Sequence, residues 1–381
     1  MIIIVAGAIG RFPVGGQAWC EMQYLLGLRS LDHQVIFLEE CGESSWVYNW
    51  KAEQLTTFLD YPTDYIQACL EPFGFSKQWI YRAGDQAVGM EINEFIDLCS
   101  QADLFLIRGC TIPLWRPEYN LPKKRIFIDS DPGFTQIKIA HGDRELINTV
   151  EHCEKLFTIG KRIGKPDCPI PTNGKQWIKT NFPVFLPEWS FIEGESCSEF
   201  TSVMQWKSYK AEVYQNISYG NKDKEFPNFI TLPQLTKQPL LLALTASDLV
   251  EKELSTYGWK IVSGWKSSYT PELYQKFIQA SRAEFSVAKQ GYVLSRGGWV
   301  SDRSVCYLAS GRPILVQDTG IGDCLPTGKG ILTFRNLSEA LKGIETINAD
   351  YEQHCLAARQ IAEQYFSTDR VLPPMLEAAM S

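Results

Sequence analysis

The sequence contains no apolar run approaching the roughly 18–20 residues that a membrane span needs, so no transmembrane segment is expected. It contains no CxxC pair. Its eleven cysteines are odd in number and scattered, which argues against a disulfide frame and a structural zinc site and predicts reduced thiols in a cytoplasmic chain. No GxGxxG is present, so a dinucleotide cofactor is disfavoured. No GxSxG elbow is present either. Gly328-Lys329-Gly330 is not a P-loop, because no Ser or Thr follows the lysine. Short-period repeats and low-complexity tails are absent. The start, Met1-Ile-Ile-Ile-Val-Ala-Gly7, lacks the basic region of a signal peptide and reads directly as a strand. Excess positive charge is missing as well. The formal charge of −7 leads to the expectation of no nucleic-acid partner.

What is present is the pattern of a globular α/β chain. Its 381 residues suit two domains, and 45% of them are hydrophobic. Ile2 to Ala6 is an apolar run ended by Gly7, as in a buried parallel strand. A Gly-bearing loop, a helix from Gln17 to Ser30 and a strand from His33 to Glu39 complete a βαβ unit. Ser44 to Gln86 is rich in aromatics with little period and predicts helices and loops at a pocket. Strands at 103–107, 125–128 and 155–159 alternate with helices at 92–100 and 145–153. Lys161 to Glu195, dense in Pro, Gly and Lys, reads as a crossing between domains. A second alternation starts at Phe200. The expected division is a first α/β domain over 1–190, a second over 198–350, and terminal helices over 351–381 that pack back on the first.

The stretch 288–320 carries the most chemistry. Gly297 and Gly298 let backbone approach a ligand closely. Ser301 is a plausible N-cap for a helix from Asp302 to Ser310, whose free N–H groups and partial positive charge suit a phosphate. Arg303 in its first turn, beside Ser304, offers a guanidinium fork for phosphate oxygens. Gly311 stops the helix, Pro313 to Gln317 is a strand, and Asp318-Thr319-Gly320 follows at its carboxyl end, where open sheets bind ligands.

With these two series of strands and helices, the chain resembles the GT-B glycosyltransferases over nearly its full length. The residues that carry the resemblance are Val14-Gly15-Gly16-Gln17-Ala18-Trp19 and the segment from Ser301 to Gly320. Asp129-Ser-Asp-Pro-Gly133, residues 164–172 and Gln205-Trp-Lys-Ser208 are similar to a subgroup of that superfamily often found in bacteria. The resemblance implies two Rossmann-like domains across a cleft and a hexosyltransferase-like activity using a nucleotide-diphosphate sugar such as a UDP-sugar. The second domain would hold that donor and the first most of a small-molecule or glycan acceptor. Donor contacts fall to Gly15, Gly16, Gln17, Gly297, Gly298, Trp299, Ser301, Asp302, Arg303, Ser304, Asp318, Thr319 and Gly320. Arg303 stabilises the leaving phosphate, with Lys207 and Lys289 as weaker candidates.

The chain departs from this pattern at Cys306, which stands where many relatives carry a ribose-binding Glu; a thiol cannot accept two hydroxyl bonds as a carboxylate does. Asp302, one turn earlier, is the substitute. The departure keeps a second reading open, that of a catalytically silent nucleotide- or glycan-binding protein of the same shape. Asp129-Ser130-Asp131 is a DxD triplet of the kind that holds a metal elsewhere, but it lies in the first domain. It reads as capping or acceptor contact, with Asp131 as a candidate general base. No metal and no cofactor are expected. Of the four histidines, His33, His141, His152 and His354, none lies in the loop after the first strand, which leans toward retention of configuration.

Overall fold

The computed structural model describes every residue except Lys51, Glu53, Cys110, Thr111, Glu195 and Ser196. The Glu195 end of the crossing segment thus lies outside the described residues. The first sheet contains Ile2–Ala6 (β1), Gln34–Glu40 (β2), Trp79–Ala83 (β3), Gln86–Gly89 (β4), Leu104–Arg108 (β5), Lys124–Asp129 (β6), Lys155–Thr158 (β7) and Trp177–Lys179 (β8). Their order is β8-β7-β6-β5-β1-β2-β3-β4, parallel apart from the β3–β4 hairpin. The second sheet contains Phe200–Gln205 (β9), Leu240–Thr245 (β10), Lys260–Ser263 (β11), Ala283–Ser286 (β12), Ile314–Gln317 (β13) and Ile331–Phe334 (β14), all parallel, in the order β11-β10-β9-β12-β13-β14. Central strands such as β1 and β5 are apolar almost throughout, because helices cover both faces and leave no polar side.

Each sheet has one point where strand order reverses, between β1 and β5 in the first and between β9 and β12 in the second. Ligands of open α/β sheets bind outside the carboxyl ends at such points. The helices that matter are Gly15–Ser30 (α1), Asp60–Leu70 (α2), Phe134–Ala140 (α3), Pro271–Ala280 (α4), Gln290–Ser295 (α5), Asp302–Ala309 (α6), Tyr351–Ile361 (α7) and Thr368–Met380 (α8). The helix α1 of the first domain packs on α4 of the second, and α8 returns to α1 with Thr368 and Leu372 against Gly27. One apolar cluster therefore runs from β1 and β5 through α1 into α6 and α8.

Two segments differ from the sequence expectation. The aromatic stretch 44–86 contains α2, but also β3 and a small hairpin of Val47–Asn49 with Gln54–Thr56. β3 is buried at every position, so it has no polar–apolar alternation to reveal it. The Gly-rich loop before α6 holds a further short helix, α5, ended by Arg296 rather than by a glycine, in the left-handed region at φ 45°. Among the described residues every cysteine is unbonded, and no helix is long and apolar enough to cross a membrane.

Candidate functional site

On the first domain, the loop after β1 is held by two buried carboxylates. Glu39 accepts the N–H groups of Ile9, Gly10 and Arg11 at 2.7–2.8 Å. Glu21 accepts that of Ala8 at 2.9 Å, pairs with Arg108 on β5, and takes the Gln17 amide at 3.1 Å. Gln17 thus braces the loop from inside. Gly15 and Gly16 face the second domain: a Cβ on Gly15 would lie 2.2 Å from the Thr270 carbonyl oxygen, and one on Gly16 2.9 Å from the Tyr274 ring. Their lack of side chain lets α1 meet α4.

On the second domain, Ser301 caps α6 by accepting the Arg303 N–H at 3.3 Å. The Arg303 side chain turns inward. It donates to Glu284 at 2.6 Å, to the Val203 carbonyl at 3.0 Å and to the Ser286 hydroxyl at 2.7 Å. This ties the carboxyl ends of β9 and β12 together across the strand-order reversal. The fork read as open to phosphate is filled by protein.

Gly297 and Gly298 pack against the first domain. The Gly297 carbonyl accepts the Arg162 N–H at 2.9 Å, and a Cβ on Gly298 would meet Cys324 and Arg162. Trp299 stacks on Tyr292 with ring centroids 4.0 Å apart, and Thr319 donates to the Trp299 carbonyl at 2.5 Å. Asp318 accepts from Gly320 N–H and Arg335, each at 2.8 Å. Burial raises its carboxyl, but these donors outweigh that and hold it below its ordinary value. The mouth of α6 faces α1, yet the space there is small. A gap of about 10 Å³ lies beside Trp299, Ser301 and Ser304, and another beside Asp302, Cys306 and Gln23. As it stands, the mouth is not an open phosphate cradle.

The DxD triplet is also occupied. Asp129 is fully buried and accepts from Thr135, Gln136, Thr158 and the Asp131 N–H at 2.6–2.9 Å. Asp131 accepts the hydroxyls of Tyr209, at 2.7 and 3.0 Å, and of Tyr292, with the Lys289 ammonium 3.9 Å away. The expected base is therefore a junction latch, because its lone pairs are used by the other domain.

The open space lies elsewhere, where the loop before α1 meets the second sheet. A crevice of about 190 Å³ is bordered by Val14, Gly16 and Trp50 on the first domain and by Gln205, Thr245 and Trp265 on the second. It sits at the carboxyl ends of β9 and β10. Beneath the reversal point lies Lys222, which the sequence reading passed over because nothing in its neighbourhood marks it. It is 7% exposed and donates to the Val287 carbonyl, its one hydrogen-bond partner among the described residues. Burial, with Arg303 adding to it, pulls its ammonium well below the lysine range. Lys289 is also lowered by burial. Lys222 and Arg303 thus face one carboxylate, Glu284, whose second oxygen has no hydrogen-bond partner among the described residues. Lys207, by contrast, is exposed and lies 3.5 Å from Asp223.

No family model and no curated protein matches the chain. Solved structures do. An alpha-glucosyltransferase in complex with UDP-glucose and DNA containing an abasic site matches over 100% of both chains, with a TM-score of 0.62 at 9% identity. HepE of Anabaena in complex with UDP-glucose covers 99% of both, with a TM-score of 0.59 at 11% identity. A glycosyltransferase from Rickettsia africae covers 99% of this chain and 97% of its own, with a TM-score of 0.54 at 9% identity. The chain has the GT-B fold. At these identities the likeness fixes architecture, and GT-B is what the sequence resemblance implied. The expectation of no nucleic-acid partner does not stand, because several structures of this GT-B fold are solved on DNA. Net charge summed over a whole chain says little about one patch of it.

Proposed function

We propose that the protein is a cytoplasmic, metal-independent glycosyltransferase that moves a sugar from a nucleotide-diphosphate sugar, with a UDP-sugar as the first donor to test. The observation that carries this reading is the buried Lys222 beside Arg303 at the reversal point of the second sheet, two basic side chains near the single carboxylate of Glu284, with burial holding the Lys222 amine toward its neutral form until an anion arrives. A diphosphate supplies the counter-charge. In transfer, the bond between the anomeric carbon and the diphosphate oxygen breaks, and the electron pair leaves with the nucleoside diphosphate. The acceptor oxygen bonds to that carbon, and its proton passes to the departing phosphate or to solvent. Fixed cations stabilise the charge that grows on the leaving group. The crevice is smaller than the roughly 300–1,000 Å³ of typical ligand pockets, so donor entry requires the domains to part. Unbonded cysteines support the cytoplasmic placement.

The deciding assay is release of nucleoside diphosphate from a panel of sugar nucleotides in EDTA. Turnover that persists supports the proposal. Turnover abolished by EDTA and restored by Mg²⁺ or Mn²⁺ overturns metal independence. Tight nucleotide binding with every donor silent favours the binding-protein reading.

A nucleic-acid acceptor is the second reading, favoured by a basic group at one end of the domain junction. Lys161, Lys165 and Lys179 share the surroundings of the Cys324 thiol. Burial, with Lys161 and Lys165 adding to it, pushes Lys179 down to about 8. Fluorescence anisotropy with a short duplex tests it. Binding that falls steeply with salt supports it, and no binding at low salt removes it.

A further inference from the structure

A second and larger cavity, of about 530 Å³, opens along the domain junction on the same face of α1, one turn further along it from the crevice. Its floor is Trp19 and Tyr65, both buried. Phe73 and Tyr269 form walls, and Asp64 on α2 and Glu272 on α4 stand at the rim as exposed carboxylates. The polar tips of the floor are spent. Trp19 Nε1 donates to the Pro271 carbonyl at 2.9 Å, and the Tyr65 hydroxyl to the Tyr269 carbonyl at 2.6 Å. Trp19 is further fixed edge-on to Phe73 and Trp189, with centroids 5.8 and 5.0 Å away. What faces the cavity is therefore rigid aromatic surface with two acceptor carboxylates above it.

Charge narrows the occupant. Among the described residues no Lys or Arg lines the cavity, and neither Asp64 nor Glu272 has an ion-pair partner. A phosphate or a nucleic-acid backbone would meet only like charge. A neutral ring with an apolar C–H face and a rim of hydroxyls fits both parts, stacking on the aromatics and donating to the carboxylates. The volume lies in the range of small-ligand sites. Position narrows it again. The Tyr61 hydroxyl on this wall accepts the Trp50 N–H at 3.2 Å, and Trp50 also borders the crevice. Helix α1 supplies Trp19 to the cavity and Gly16 to the crevice.

We propose that this cavity binds a neutral saccharide and that it holds the acceptor side of the transfer. The binding stands by itself; the acceptor role rests on the transferase reading. Ala68, exposed on α2 at the cavity wall, allows a filling variant that leaves the core alone.

Saturation-transfer NMR on the full chain with maltose, cellobiose and lactose is expected to detect at least one of them. Ala68→Trp abolishes that signal while the Kd for UDP, measured by calorimetry, stays within about twofold. Glu272→Gln, a surface change that keeps the fold, weakens the same saccharide about five- to tenfold. A signal that survives both variants overturns the proposal. So does silence from all three sugars at millimolar concentration, or displacement of the sugar by tetramethylammonium or by duplex DNA in the cavity. If Ala68→Trp removes saccharide binding but no sugar nucleotide is ever consumed, the cavity stands and the transferase reading fails. If donor turnover with a saccharide acceptor is unchanged in Ala68→Trp, the transferase reading stands and the cavity assignment fails.

Discussion

Two basic side chains at the reversal point of the second sheet differ in what they bind: Arg303 is taken up by protein, and Lys222 is the one the proposed function assigns to the diphosphate. Arg303 spends its guanidinium on Glu284, Val203 and Ser286, and the Glu284 side chain is fully buried. Arg303→Met leaves that carboxylate without its pair, which costs about 3–5 kcal/mol for a broken buried ion pair. The expected result is a lower urea midpoint; an unchanged midpoint would remove the structural role. Lys222 has one carbonyl partner and a depressed pKa. A bound diphosphate restores the charged form, so UDP binding takes up a proton at a pH between that depressed pKa and the ordinary lysine value. Calorimetry in buffers of different ionisation enthalpy reads this uptake. Lys222→Met is expected to weaken UDP by about 1.5–3 kcal/mol, roughly ten- to a hundredfold. Neither residue's role was legible from spacing. Arg303 stands where a phosphate ligand is expected, but its side chain is claimed by Glu284, nineteen positions away in sequence. Lys222 reaches the site because the short helix Lys222–Glu225 packs on α5 and its amine meets the Val287 carbonyl just past β12.

At the scale of elements, the loop, α1 and α6 form where the sequence places them, since each is governed by local rules. Ser301 caps α6, and Gly311 ends it in the left-handed region at φ 71°. What the glycines of the first loop are for is a different matter. Gly15 meets backbone, the Thr270 carbonyl, which cannot swing aside. Gly15→Ala is expected to cost about 1–3 kcal/mol by overpacking the α1–α4 contact. Gly322→Ala, where a Cβ would meet nothing closer than 3.8 Å, is the control and leaves the urea midpoint unmoved. Equal midpoints for the two variants would show that the contact yields.

At the scale of the molecule, the two domains are held shut. Asp131 on the first accepts the hydroxyls of Tyr209 and Tyr292 on the second, and His141 meets Glu212 at 3.1 Å. The crevice of about 190 Å³ is smaller than typical ligand sites, so on the proposed function a nucleotide sugar enters only when the domains part. A binding-competent open form then sets the apparent affinity by its population. The double variant Tyr209→Phe/Tyr292→Phe removes the donors and keeps every charge. Stopped-flow binding of UDP is expected to speed up about tenfold. An unchanged association rate would mean that opening does not limit entry.

The amino-acid sequence by itself determined the two βα series and the caps and glycine stops of the helix that begins at Ser301. Each of these depends on residues near one another in the chain, where periodicity and backbone preference act. The tertiary structure alone decided which side chains remained free. Asp131 and the Gly15-Gly16 pair are taken up by partners from the other domain, Arg303 by two strands of its own sheet and Gln17 by Glu21 one turn along its helix, while Lys222 lies in a segment without a motif and the cavity joins Trp19 to the aromatic stretch expected at a pocket. Hydrogen-bond partners and buried charge depend on what packs opposite, and no spacing along one strand of chain contains that information.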